Sequence, residues 1–256
     1  MPAVAALLER QPATVALRRA LPRTAWPLFT ARTPAQLAAL LHRHCLDAII
    51  LGPAAARGPV LDALRRDFPA IPLIAYLPIR SDDADLLRRL HRERVAALAV
   101  EGLDEPVLSR ILDRHGLTGR RLSELLPLSN DLDLTDSMQR DAWSLIISHA
   151  PAGLDTDALA RLLGVRRETL SRRFGAGGAP SLKRAIDAVR LVAAGQLLGN
   201  PGYRVEDAAR LLRFSSVSLL QQTARRTFGV PARRVATLDA SRIAERLGTG
   251  ISSRWK

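Results

Sequence analysis

LDTDALARLLGVRRETLSRRF, residues 154–174, and RVEDAARLLRFSSVSLLQQTARRTF, residues 204–228, read as one small helical device written twice. Each begins with a short helix whose apolar residues recur at helical spacing: Leu159, Leu162 and Leu163 in the first, Ala208, Leu211 and Leu212 in the second. A brief polar turn follows, then a second helix rich in Arg, Gln, Ser and Thr. LARLLGV (159–165) overlies AARLLRF (208–214) at an offset of 49, and Leu170 overlies Leu220 at an offset of 50. The second copy therefore carries one extra residue in its turn, as duplicated supersecondary units often do.

Between the copies, SLKRAIDAVRLVAAGQLL (181–198) reads as a single helix. Ser181 is its cap, Leu182, Ala185, Ile186, Val189, Val192 and Leu197 form its apolar face, and Gly199-Asn200-Pro201-Gly202 ends it. At 1.5 Å per residue it spans about 27 Å. Helix, polar turn, helix is the helix-turn-helix pattern, whose second helix enters the major groove of DNA. A rigid helix of that length could hold two such readers in successive grooves, which recur every ~34 Å.

Charge points the same way. The chain of 256 residues holds 38 Lys and Arg against 25 Asp and Glu, a net +13. Residues 1–135 hold 18 basic and 15 acidic side chains, whereas 136–256 hold 20 and 10. A basic half joined to a near-neutral one implies a polyanionic partner for the second half. No apolar run approaches the roughly 20 residues that span a membrane. MPAVAALLERQPA carries an acid early and soon turns polar, unlike a secretion signal. The lone Cys45 excludes an internal disulfide and a multi-cysteine metal site. A cytoplasmic protein without a membrane partner, metal or cofactor is expected.

The first half alternates strand-like and helix-like segments. A short apolar segment lies at 27–31; strands are expected over 46–51, 72–77 and 95–100, and helices over 34–44, 60–68, 81–94 and 105–115. Thr33 caps the first of these helices ahead of a proline, and Ser81 caps the third, with Asp82, Asp83 and Asp85 in its first turn. Apolar strands separated by helices imply an α/β fold with a parallel sheet covered on both faces. Residues 116–135, with two glycines, Pro127 and the acidic run SNDLDLTD, read as a linker. Asp136 then caps a helix over 137–149, and the chain from Gly248 reads as a frayed basic tail.

The order and lengths over roughly 14–115 resemble a response-regulator receiver domain of the flavodoxin-like type, although the segment before Trp26 is too short for that fold's first strand and helix. The resemblance implies a phosphate-accepting Asp at the end of the strand DAIIL, where Gly52 stands. It implies Ser or Thr where Leu77 stands and Lys where Glu101 stands, and no acidic pair for a cation is found near 15–21. Asp47 lies at the wrong end of its strand to substitute. Phosphoryl transfer needs a carboxylate nucleophile, a cation held by carboxylates and a second positive charge. The expectation is a pseudo-receiver with no aspartyl phosphorylation.

Residues 136–240 resemble the DNA-binding domain of AraC/XylS-family transcription regulators, an all-α module. The likeness rests on LARLLGV with LSRRF, Arg190-Leu191 in the linker helix, RVEDAARLLRFSS, and the ending RRTFGVPARRV with its aromatic–Gly–x–Pro. The resulting layout is a pseudo-receiver over 1–115, a linker over 116–135, the DNA-binding domain over 136–240 and a tail over 241–256. Three departures stand out: Arg213 where glycine is usual, Ala224 where a large aromatic usually packs, and GAGGAP after Phe174. The first two imply a looser second motif or a weaker reader, and the third a more flexible join after the first recognition helix.

The resemblance puts base reading at Arg167, Glu168, Thr169, Ser171, Arg172 and Arg173 in the first copy. In the second it puts it at Ser216, Val217, Ser218, Gln221, Gln222 and Arg225. Arg166, Arg226, Arg233, Arg234 and Lys183 are expected at phosphates or in solvent. Double-stranded DNA, a second copy of the chain in a homodimer, and RNA polymerase are the partners implied. Catalysis is not expected: His42, His44, His91, His115 and His149 lack metal spacing, and one cysteine does not make the reactive set of AraC-like DNA-repair methyltransferases. A non-catalytic adaptor with a vestigial DNA surface is the alternative reading.

Overall fold

Leu46–Leu51, the apolar run LDAIIL, is the centre of a parallel sheet, with neighbours on both sides. The computed structural model describes residues 3–22 and 24–248, and packing divides the chain into two units. One comprises Met1–Arg120 with Asn200–Tyr203, the other Arg121–Gly199 with Arg204–Lys256. The first runs β1 (Ala3–Leu7), α1 (Gln11–Ala20), β2 (Leu28–Ala31), α2 (Pro34–Arg43), β3 (Leu46–Leu51) and α3 (Pro53–Arg57). It continues through α4 (Val60–Asp67), β4 (Leu73–Leu77), α5 (Ala84–Arg92), β5 (Ala97–Val100) and α6 (Leu108–His115).

All strands are parallel, in the order β2-β1-β3-β4-β5. This is a flavodoxin-like sheet. Every residue of β1, β3 and β4 is buried, as a sheet covered on both faces requires. Alternation sorts the side chains: Val4, Ala6, Ala48, Ile50, Ile74, Tyr76 and Ala99 pack on one face with Ala13 and Leu17 of α1 and Leu108 and Leu112 of α6. Leu37 and Leu41 of α2 and Leu61 and Leu64 of α4 are the buried positions of their helices.

Two expectations are corrected. The segment before Trp26 does hold a strand and a helix, because β1 takes only five residues and just three separate it from α1. α5 begins at Ala84, not at 81: residues 81–83 form a turn, and Asp83 rather than Ser81 stands at the helix start. There Asp83 accepts from the Arg80 N–H at 2.9 Å and pairs with Arg57. Between β3 and α4 the chain also forms α3, ended at Gly58-Pro59, for which the sequence shows no period.

The second unit is helical. α7 (Leu117–Leu125), whose first residues up to Arg120 belong to the first unit, and a 3-10 turn (Leu126–Ser129) occupy part of the stretch expected as a linker, and Leu125, Leu128, Leu132 and Leu134 are buried. Then come α8 (Ser137–His149), α9 (Thr156–Leu162), α10 (Arg167–Phe174), α11 (Leu182–Leu198), α12 (Val205–Leu211), α13 (Val217–Phe228) and α14 (Ala240–Gly248). Asp136 caps α8 in a reciprocal box with Gln139. Trp143, fully buried, donates its ring N–H to the Leu125 carbonyl at 2.9 Å. α11 is the spine, with all but four of its 17 residues buried.

The basic tail expected over 241–256 is, up to Gly248, helix α14, whose Ile243, Ala244 and Leu247 are buried. Its remaining residues lie outside those described. Among the described residues no helix is long and apolar enough to cross a membrane.

Candidate nucleic-acid interface

The two helix pairs, α9–α10 and α12–α13, obey the offset read from the sequence. α9 starts 49 residues before α12, and α10 starts 50 before α13. Gly164 ends α9 in the left-handed region at φ 66°, and Arg213, 49 residues on, takes the same conformation at φ 57°. Leu170 and Leu220 are fully buried, as are Phe174 and Phe228. Leu162, expected on the apolar stripe of α9, is instead 54% exposed, while its counterpart Leu211 is buried. Ala224 stands where Phe174 stands in the first copy; α13 runs to 12 residues against 8 for α10, and its extra turn brings Phe228 into the core.

Arg213 is not a loose end. The Arg190 guanidinium donates to the carbonyls of Leu212 at 2.7 Å and Arg213 at 3.0 Å, and lies 4.2 Å over the Phe214 ring. The Arg213 stem covers Gly153, just ahead of the first pair: a Cβ at Gly153 would stand 2.4 Å from Arg213 Cδ. Gly153 itself sits at φ 85°. One arginine thus touches the approach to the first helix pair while closing the turn of the second. Asp187, buried on α11, faces Lys183 at 3.1 Å, Arg226 at 3.6 Å and Arg190 at 4.0 Å. The closing segment is equally tight: Gln221 Oε1 accepts from the Ala232 N–H at 3.2 Å, and a Cβ at Gly195 would meet Ala236 N at 2.6 Å.

These contacts sort the residues singled out from the sequence. Arg173 is engaged by Asp136, whose carboxyl that guanidinium holds below the usual aspartate range. Arg167 pairs with Asp157 at 3.3 Å, both exposed. Ser216 caps α13 by accepting from the Leu219 N–H at 3.0 Å. Gln221 ties to the closing segment, Arg226 faces Asp187, and Thr169 and Val217 are half-buried.

Arg166, Glu168, Ser171 and Arg172, and likewise Ser218, Gln222 and Arg225, are exposed. Their side chains make no hydrogen bond or ion pair among the described residues. Glu168, Ser171 and Arg172 lie at i, i+3, i+4 on α10, and Ser218, Gln222 and Arg225 at i, i+4, i+7 on α13, so each set shares one helical face. Arg233 and Arg234 are exposed on the 3-10 turn Ala232–Thr237. The roles of Arg190 and Gly153 escaped sequence reading. The signal was a glycine two residues before the Asp155 cap, and a basic residue in the middle of a helix whose neighbouring positions 188, 189, 191 and 192 are apolar.

In the first unit Gly52 sits at the end of β3, where an added Cβ would stand 2.8 Å from Glu9 Oε2 and 3.3 Å from the Leu7 carbonyl. Leu77 is buried at the end of β4, and Glu101 pairs with Arg10. Asp47, at the opposite end of β3, is buried and accepts from the Thr118 N–H and hydroxyl, both at 2.7 Å.

No protein-family model matches this chain, and no curated protein matches it. Among solved structures, the chain is similar to full-length FixJ from B. japonicum at 9% sequence identity, covering 93% of this chain and 98% of that one with a TM-score of 0.41.

Proposed function

We propose that this chain is a sequence-specific DNA-binding transcription regulator of the AraC/XylS type, not an enzyme, acting as a homodimer on double-stranded DNA and contacting RNA polymerase. Its two helix pairs serve as helix-turn-helix units that insert α10 and α13 into successive major grooves. The observation that carries this reading is the pair of exposed, unengaged polar faces, Glu168/Ser171/Arg172 and Ser218/Gln222/Arg225, each on the second helix of a duplicated unit. α11, 17 residues and so about 26 Å long, separates them.

The chemistry suits base edges. Arg172 can fork to guanine O6 and N7, Gln222 can bridge adenine N6 and N7, and Glu168 can accept from cytosine N4. Arg166, Arg233 and Arg234 are placed among the phosphate contacts that fix register. Arg167 and Arg173 reach DNA only by releasing Asp157 and Asp136. The N-terminal unit is a pseudo-receiver that takes no aspartyl phosphate: Gly52 offers no carboxylate at the end of β3, and Asp47 is committed to Thr118. Control by dimerisation, ligand or protein contact replaces phosphorylation.

Arg172→Ala and Arg234→Ala test the assignment. Titrated against a selected duplex and a random one, Arg172→Ala loses about 1–3 kcal/mol on the selected duplex only. Arg234→Ala weakens both alike and lowers the salt slope by about one. Equal losses of Arg172→Ala on the two duplexes refute it and favour the adaptor reading.

A further inference from the structure

The sheet order β2-β1-β3-β4-β5 reverses direction between β1 and β3, and in open α/β sheets ligands settle outside the carboxyl ends of the strands at such a reversal. A cavity of about 430 Å³ opens there. Its wall is built by sequence features already described. β3 is followed by two short helices broken at Gly58-Pro59, and the residues turned toward the hollow are small: Ala54, Ala55 and Ala63, with Leu7 and Val60. No large side chain fills the space, and the lining is apolar apart from Glu9 and Arg32.

Those two charges differ in what they already do. Glu9 Oε1 accepts from the Ala55 N–H at 3.1 Å, and Oε2 is the atom that a Cβ at Gly52 would meet, so its carboxylate is turned to the start of α3. Arg32 is exposed, donates from Nη2 to Gln11 Oε1 at 3.0 Å, and makes no ion pair among the described residues. Its remaining guanidinium donors are available at the rim.

The geometry points to a binding site for a small amphipathic organic anion, its apolar body in the hollow between α2, α3 and α4 and its acid group on Arg32. A preformed, mostly apolar cavity with one convergent polar anchor is the usual form of a small-molecule site. The site is independent of DNA reading and stands or falls without it.

The probe is 8-anilinonaphthalene-1-sulfonate, an apolar body with one anionic group, with N-phenyl-1-naphthylamine as its uncharged counterpart. Fluorescence titration of the full chain gives saturable one-to-one binding of the sulfonate. Ala54→Trp and Ala63→Phe, which fill the hollow from two sides, each abolish it while the unfolding midpoint holds. Arg32→Gln weakens the sulfonate about tenfold, as loss of a charge-assisted contact does, and leaves the neutral dye unchanged. Arg88→Gln, at an exposed position of α5, changes neither. Unaltered binding in both filled variants overturns the site. A sulfonate affinity indifferent to Arg32→Gln, or binding of the neutral dye alone, overturns the anion assignment.

Discussion

Arg213 takes a backbone conformation that costs most side chains about 1–3 kcal/mol, and its surroundings offset that cost. Arg190 pins the carbonyls on either side of the bend, and Gly153 leaves room for the stem. The two residues are complementary: Gly153→Ala adds a Cβ both at φ 85° and 2.4 Å from Arg213 Cδ. Urea unfolding of that variant should show a loss of about 1–3 kcal/mol. Combining it with Arg213→Gly should recover part of the loss, so the double-mutant cycle gives a coupling term; strict additivity contradicts the contact. Asp136 supplies a second test at this scale. Its pKa is held low, first by the hydrogen bond from Arg173 and then by that from the Met138 N–H. A carboxyl lowered on folding stabilises above its unfolded pKa of about 3.9 and loses that contribution as pH falls through the folded value. Asp136→Asn should therefore be less stable than the parent at pH 7, with the difference vanishing in strong acid. A difference that persists there assigns the effect to the cap and not to the ion pair.

At the scale of elements, α11 positions both helix pairs, and Arg190 is the residue through which it holds the second. Arg190→Ala removes two hydrogen bonds from a charged donor, each worth about 1.5–3 kcal/mol, and uncovers the Phe214 ring. Proton exchange at the turn between α12 and α13 should accelerate far more than in α9–α10. Equal acceleration in both pairs would mean global loosening instead. α11 was legible in the sequence because its cap, its periodic apolar face and its Gly-Pro stop agree, and the same holds for α8 behind Asp136. β3 was legible to the residue because LDAIIL closes on four apolar residues, 48–51, directly before Gly-Pro. β1 was not: AVAAL has one β-branched residue and reads as well in a helix, so only its pairing with β2 and β3 makes it a strand. α3 escaped because five residues between two prolines carry no period. Among the candidate base readers, exposure followed from helical spacing, but the engagement of Arg173, Arg167 and Gln221 did not. Their partners, Asp136, Asp157 and Ala232, lie 37, 10 and 11 residues away in sequence.

For the whole molecule, the uneven charge and the duplicated helix pair underlie one proposal: two readers on one spine, in a unit whose excess of positive charge would meet the DNA backbone. The proposed pseudo-receiver role leaves DNA reading to the helical unit. The measurement that bears on it most directly is selection of duplexes bound by the full chain from a random-sequence pool, followed by sequencing. Two short enriched motifs are expected, with centres one helical turn apart, about 10–10.5 base pairs. The motif bound by α10 should lose its base preference in Arg172→Ala, and the other should lose its preference in Gln222→Ala. A pool that binds but yields no enriched sequence, or a single motif with no partner at that spacing, contradicts it.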